Sequence, residues 1–250
     1  MKNDKTKKYF IISDVHGFCK EMKQGLFRAG FRKNNPNHIL VVLGDVFDRG
    51  DEAVKVFKYI TSIPKKRRIL VKGNHEYLYL ELLKKEFPER HDYSNGTVAT
   101  FYQIAQANIE EDFKTVRDKV ASGKVTKWLK SKEWLNYYEL DDTFVLVHSF
   151  IPDVPDWREK ATEFDFEKAS WGCPWKQYLN GKFDEEKAKG KILVCGHWHT
   201  SDFYYHLAGI NDPEIDKIYY NKDGHLIAID GGVRRNYWGE LIHHQNVLKL

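Results

Sequence analysis

Cysteine is scarce in this 250-residue chain. The three present, Cys19, Cys173 and Cys195, are odd in number, widely spaced and form no CxxC pair. Neither a disulfide framework nor a thiolate zinc cage fits that pattern, and the residues read as reduced thiols of a reducing compartment. Long apolar runs are also absent. HILVVL and VFKYI are far shorter than the roughly 20 residues that cross a bilayer, and the basic start MKNDKTKKYF lacks the apolar stretch of a secretory signal. The expectation is a cytoplasmic protein without membrane association. Neither sign of charge dominates: the net charge is +4, too weak and too scattered to argue for nucleic acid. The one basic cluster, Lys65, Lys66, Arg67 and Arg68, reads as a solvated turn between a helix and a strand. Internal repeats and low-complexity segments are missing as well. What remains is 42% hydrophobic and 30% charged residues, an ordinary globular composition on a chain long enough for a sizeable core.

The first third alternates between two periodicities. Tyr9–Ser13, Ile39–Leu43 and Ile69–Val71 are short apolar runs, and runs of that length read as buried strands. Between and after them, Phe18–Ala29, Glu52–Thr61 and His75–Phe87 carry apolar residues at helical spacing. This β-α-β-α-β-α order predicts a parallel core sheet with helices against it. From about Ser94 to Leu140 the chain reads as a helical cap or insertion. Phe144–Val147 and Ile192–Cys195 are a fourth and a fifth strand, separated by helix and loop over Asp156–Gly190. Phe203–Tyr205, Ile218–Tyr220, Leu226–Ile229 and Asn246–Leu250 read as short late strands of a second, antiparallel sheet, with turns at Asn221-Lys222-Asp223-Gly224 and Gly231-Gly232.

The chemistry lies where the strands stop. Strand one runs into Asp14-Val15-His16-Gly17, strand two into Gly44-Asp45-Val46-Phe47-Asp48-Arg49-Gly50, and strand three into Gly73-Asn74-His75-Glu76. Strand four ends at His148, and strand five runs into Gly196-His197-Trp198-His199. Ligands of α/β sheets bind outside the carboxyl ends of the strands, so these groups are expected to converge. Carboxylates and imidazoles gathered away from water are costly unless a cation neutralises them. Asp14 and His16, like His197 and His199, are two apart and point the same way in extended backbone. The donors outnumber the needs of one ion, which implies two ions bridged by a carboxylate. Such a pair clamps an in-line displacement at phosphorus and activates water. Oxygen and imidazole donors suit manganese, with iron or zinc as alternatives.

Taken together, these motifs resemble the calcineurin-like metallophosphoesterase superfamily. GDVFDRG followed by GNHE is similar to the bacterial and phage-type serine/threonine phosphoprotein phosphatases, and diadenosine tetraphosphatases share that signature. The likeness runs from Tyr9 to about Gly232. It implies an α/β fold of four αββα layers, with two packed mixed β-sheets flanked by helices. It also implies a single domain over 1–250, with helical insertions at about 92–140 and 156–190. By position, Asp14 and His16 hold the first metal, Asp45 bridges, and Asn74, His148 and His197 hold the second. His199 joins the first metal, as in the GHxH form of the superfamily. His75 is the general acid, Asp48 orients it, and Arg49 grips the phosphoryl oxygens beside Asn74. The family's second phosphate-binding arginine has no counterpart before Gly196; Arg158, Arg234 and Arg235 are the candidates to replace it.

The activity implied is hydrolysis of phosphate monoesters by a metal-generated hydroxide, with phosphoserine and phosphothreonine in proteins as the first expectation. Dinucleoside polyphosphates such as diadenosine tetraphosphate, or phosphodiesters, are the alternatives. The partner is then a phosphorylated protein or a small phosphate ester, with no nucleic acid and no membrane. Trp157, Trp171 and Trp175 are candidates for a groove wall, although aromatic clusters more often pack as core. His243 and His244 face opposite ways in a strand and read as structural or exposed.

Overall fold

The computed structural model describes residues 6–181, 188, 190–235 and 241–250. The chain opens with β1 (Lys8–Ile12), α1 (Cys19–Arg28), β2 (His38–Leu43), α2 (Ala53–Thr61), β3 (Arg68–Val71) and α3 (Asn74–Leu82). A helical stretch follows: α4 (Arg90–Ser94), α5 (Thr97–Ala105), α6 (Phe113–Ser122) and α7 (Lys124–Leu129). Then come β4 (Trp134–Leu135), β5 (Tyr138–Leu140), β6 (Phe144–Leu146), α8 (Trp157–Lys160), α9 (Glu163–Ser170), α10 (Pro174–Leu179) and β7 (Ile192–Cys195). The remainder is α11 (Thr200–Ala208), β8 (Tyr219–Tyr220), β9 (Leu226–Ala228), β10 (Arg234–Arg235), β11 (Leu241–Ile242) and β12 (Leu248–Lys249).

Two five-stranded mixed sheets form from these pieces, in the orders β12-β1-β2-β3-β4 and β5-β6-β7-β9-β8. Strands β1 to β4 run parallel, with β12 antiparallel at the edge. In the second sheet β6, β7 and β9 run parallel, flanked by antiparallel β5 and β8. The two-residue period of a strand sorts side chains between layers. Ile11, Val41, Leu43, Val71, Leu146, Val194 and Ile227 point into the seam between the sheets. Their neighbours Phe10, Ile12, Leu40 and Val42 face the α1, α2 and α5–α7 side, while Leu193 and Cys195 face Trp157 and Phe203 on the other. The result is helix, sheet, sheet, helix, as expected. Each aliphatic side chain closed into the seam contributes roughly 1.5–3 kcal/mol. Among the described residues no helix is long and apolar enough to cross a membrane.

Several expectations are corrected. Phe203–Tyr205 is not a strand but part of α11, because Phe203 and Leu207, four apart, pack on one face against the second sheet's core. The late strands do not form a sheet of their own: β9 slots in parallel beside β7, and β12 returns to the edge of the first sheet. The stretch from Ser94 to Leu140 is helical only to Leu129; β4 then extends the first sheet and β5 starts the second. The region 156–190 carries α8–α10, with 182–187 and 189 outside the described residues.

The basic cluster also divides. Lys65 and Lys66 are exposed, but Arg67 and Arg68 are buried. Arg67 donates to the carbonyls of Asn35 and Lys33 at 2.8 Å each. Arg68 donates to the carbonyls of Thr61 and Ile63 at 2.7 and 2.6 Å, and its Nη2 pairs with Glu133 at 2.9 Å. Removing one member of a buried ion pair leaves the other charge uncompensated. Arg68→Met is therefore expected to lower the free energy of unfolding in urea by about 3–5 kcal/mol, while Lys66→Ala changes it by less than about 0.5 kcal/mol.

Candidate metal centre and active site

Five of the parallel strands place a polar group just beyond their last residue: Asp14 and His16 after β1, Asp45 after β2, Asn74 after β3, His148 after β6 and His197 after β7. The sheets are stitched together there. The His148 Nδ1–H donates to the Leu43 carbonyl at 2.7 Å, and the His197 amide donates to Asp14 Oδ2 at 2.9 Å. Backbone strain gathers at the same place. Of ten non-glycine residues with positive φ among the described residues, six are Asp14, His16, Asp45, Asp48, Arg49 and His197; a left-handed backbone at such residues costs energy and persists only when the surroundings hold it. Glycine is required next to them: a Cβ on Gly73 would collide with Asp45 Oδ1 and the Asp45 amide.

Two donor groups share Asp45. One comprises His16, Asp45 and His75, the other Asp45, His148 and His197, with ligand atoms in each lying within 4.8 Å of one another. Asp14 Oδ1 is 3.9 Å from His16 Nε2, and Asn74 Oδ1 is 2.9 Å from His148 Nε2. His16 Nδ1 lies 3.1 Å from the Phe47 carbonyl. With both Nδ1 protons on carbonyls, His16 Nε2 and His148 Nε2 turn lone pairs toward carboxylate and amide oxygens. His148 Nε2 also faces His197 Nδ1 at 3.2 Å. Carboxylate, amide and imidazole ligand atoms gathered in a dry seam are costly without a cation, and the donor set fits divalent metals with mixed oxygen and nitrogen ligands.

The electrostatics carry the same message. Burial, opposed by His148 and reinforced by Asp45, raises the Asp14 carboxyl above its ordinary value. Burial and the nearby positive groups push His197 down to about 3 and His16 well below its usual value. For His148, burial works against the charge, but Asp45 and Asp14 overcome it and hold the imidazole above its usual value.

His75 differs from the other imidazoles. Its Nδ1 sits 2.6 Å from Asp48 Oδ2 and its Nε2 3.5 Å from Arg49 Nη2. Burial disfavours its charge, yet Asp45 and Asp48 together push its pKa up to about 9. The Asp48 carboxylate at Nδ1 and the Arg49 guanidinium near Nε2 set His75 apart from its neighbours. Arg49 itself is exposed at the mouth. Asp48 is fully buried and fixed by α5: Thr97 Oγ1 and Thr100 Oγ1 donate to its carboxylate at 2.9 and 2.7 Å, and its amide donates to Thr100 Oγ1 at 3.0 Å.

Other candidates stand apart. His199 lines an open cleft beside the donors and packs against Gly232; burial and Arg234 lower its pKa, but it joins neither tight group. Arg158, expected at the phosphate, pairs instead with Glu139 at 2.5 Å and lies over the Trp157 ring, bracing the edge strand β5. Arg234 is exposed and acts electrostatically on His199, so it is nearer the cleft; the side chain of Arg235 lies outside the described residues. Trp157 is core and Trp175 stacks on His206, leaving Trp171 to wall the cleft. His243 lies 3.9 Å from Asp216 and His244 is exposed.

Sequence reasoning missed four residues. Glu76 accepts from the amides of Asp45, Val46 and Gly73 at 2.9, 3.0 and 2.7 Å, tying the β2 and β3 loops together. Its place in GNHE was the available signal. Thr97 and Thr100 sit in a stretch with no motif, and buried Asp230 accepts from the Gly232 amide at 2.7 Å.

Two outcomes follow. Exhaustive chelation is expected to abolish p-nitrophenyl phosphate turnover and Mn²⁺ to restore it, whereas Asp45→Asn binds fewer than two ions per chain by elemental analysis and stays inactive. Thr100→Val, which strips Asp48 of a donor and its amide of an acceptor, is expected to lower kcat roughly tenfold or more with an unchanged circular dichroism spectrum.

A symmetrical bis(5'-nucleosyl)-tetraphosphatase of Buchnera aphidicola is 24% identical over 180 residues, covering 71% of this chain and 57% of that protein. The asymmetrical bis(5'-nucleosyl)-tetraphosphatase PrpE of Oceanobacillus iheyensis is 31% identical over 114 residues, 41% of this chain and 45% of its own length. The chain thus spans about half the length of these curated relatives. Among solved structures, a putative diadenosine tetraphosphatase superposes with a TM-score of 0.54 at 15% identity, over 97% of this chain and 95% of its own. A Saccharomyces cerevisiae protein serine/threonine phosphatase does so at 0.52 and 15%, over 94% and 70%; at such identities the likeness concerns the fold. Residues 7–201 match the model of the calcineurin-like phosphoesterases, and the chain belongs to that family.

Proposed function

We propose that the protein is a metal-dependent phosphoesterase that hydrolyses dinucleoside polyphosphates such as diadenosine tetraphosphate. The observation that carries the reading is the Asp45 carboxylate shared by two donor groups, with the Asp48–His75 pair and the exposed Arg49 guanidinium beside it. The relatives named above act on bis(5'-nucleosyl) tetraphosphates by their names, and this favours the dinucleoside substrate over phosphoserine and phosphothreonine in proteins, which rest on fold likeness alone.

Asp14, His16 and Asp45 would hold one cation, and Asp45, Asn74, His148 and His197 the other, with His199 in reach of the cleft. Divalent ions bound there, Mn²⁺ or another acceptor of oxygen and imidazole donors, supply Lewis acidity and charge neutralisation at the phosphate. The chain's own groups do the rest. Arg49 presents its planar fork at the mouth, suited to two phosphoryl oxygens. Arg234, on the side of His199, offers a second positive charge for a polyphosphate. His75 carries a proton on Nε2 while Nδ1–H is held by Asp48, so it donates at Nε2 to the departing oxygen, and Asp48 stabilises the imidazolium until then. Thr97 and Thr100 keep the Asp48 carboxylate from turning away.

Steady-state rates on diadenosine tetraphosphate, a phosphopeptide and bis-p-nitrophenyl phosphate, measured side by side with Mn²⁺, test the proposal. The tetraphosphate is expected to give the highest kcat/KM; a higher value for either competitor overturns the substrate assignment. His75→Gln is expected to lose roughly 10²–10⁴-fold in kcat, most of all on esters with poor leaving groups. Because His75 is the acid and its pKa is raised, activity persists at neutral pH and falls as pH rises through about 9; Asp48→Asn moves that fall to lower pH.

A further inference from the structure

We infer that Trp171 is a stacking platform for a nucleobase, so that the cleft between Trp171 and the His197-Trp198-His199 turn is the nucleoside subsite of the enzyme. This rests on the proposed dinucleoside activity and adds to it a place for the base.

The cleft has a volume of about 410 Å³ and is lined by Trp171, His197, Trp198, His199 and Asp202. Three of these residues are candidate metal donors, His197 and His199, or the residue between them, Trp198, so the cleft adjoins the metal centre. Trp171 is 48% exposed, whereas Trp157 of the same aromatic stretch is 1% exposed; core packing accounts for Trp157 but not for Trp171. The backbone that carries the exposed ring is anchored. It follows α9, its amide donates to the Lys168 carbonyl at 3.3 Å, and the next carbonyl, of Gly172, accepts from Ser149 Oγ at 2.8 Å. Ser149 adjoins His148, so the platform is registered to the metal centre through one hydrogen bond. The opposite wall is braced as well: Trp198 meets Trp175 edge to face at 6.0 Å, and Trp175 stacks on His206 at 3.5 Å.

Charge selects the occupant. The lining holds one carboxylate, Asp202, beside the indole and imidazole rings. Among the described residues it includes no lysine or arginine. With the phosphates held at the metal centre, the exposed indole face offers a stacking surface to the uncharged planar ring of a base. The cations that suit phosphate, Arg49 and Arg234, are absent from this lining and act on His199 from beyond it.

The test compares substrates and inhibitors with and without a base. Trp171→Ala is expected to lower the ratio of kcat/KM on diadenosine tetraphosphate to that on p-nitrophenyl phosphate roughly 5- to 150-fold, mainly through KM. Trp171→Phe recovers most of it, which separates loss of the ring from loss of the fold. In the wild type, AMP inhibits p-nitrophenyl phosphate hydrolysis at lower concentration than ribose 5-phosphate, and Trp171→Ala closes that gap. An unchanged ratio in Trp171→Ala, or equal inhibition of the wild type by AMP and ribose 5-phosphate, overturns the inference. So does a Trp171→Ala defect confined to phosphopeptide turnover, which assigns the ring to a protein substrate. If the wild type leaves diadenosine tetraphosphate intact while the AMP gap persists and depends on Trp171, the tetraphosphatase reading falls and the base platform stands.

Discussion

Two sheets close on each other in this protein with carboxylates and imidazoles, rather than aliphatic groups, at one end of their seam. Asp45 is at the centre, 1% exposed, with His16, His75 and His148 around it and Asp14 nearby. Such a cluster is tolerable in a dry place only when positive charge is supplied. Protons can do this in part, which is why burial and neighbouring charge drive the imidazoles in opposite directions, His148 and His75 upward and His197 downward. Divalent cations do it better, since one ion satisfies several lone pairs at once.

The strained backbone has the same origin. Six residues of the centre adopt left-handed φ because extended strands must turn within one or two residues to aim their side chains inward. Glu76 offsets part of that cost by accepting three amides left over by the turning loops. The helical stretch after α3 then serves the centre directly, since the first turn of α5 supplies both threonines that grip Asp48. A segment that reads as a cap is thus part of the support for the acid pair. The segment after α9 serves in a similar way, carrying Trp171 to the rim on a carbonyl anchored beside His148.

Misreadings of the chain have identifiable causes. Phe203-Tyr204-Tyr205 has strand-like composition, yet lies in a helix because the face formed by Phe203 and Leu207 is what the second sheet leaves uncovered. β4 and β5 are two and three residues long, too short for any period to register, and only their partners in the sheets define them. Arg67 and Arg68 look like solvent-facing charge beside Lys65 and Lys66, but carbonyls and Glu133 at distant positions bury them. Arg158, a candidate by residue type and vicinity, is paired with Glu139, 19 residues earlier.

The sequence by itself determined the strand-helix alternation, the polar groups at the strand ends and the family, because hydrophobic period and short motifs are local and survive being read one residue at a time. It determined the identity of the donors too, since few residue types offer such ligand atoms. Tertiary structure alone decided how the late strands join the two sheets, with β9 beside β7 and β12 beside β1. It also set Thr97 and Thr100 behind Asp48, moved Arg158 away and left Trp171 uncovered. Each of these depends on contacts between segments tens of residues apart, and no local pattern in a chain encodes which distant group will arrive to fill, pair or leave open a given space.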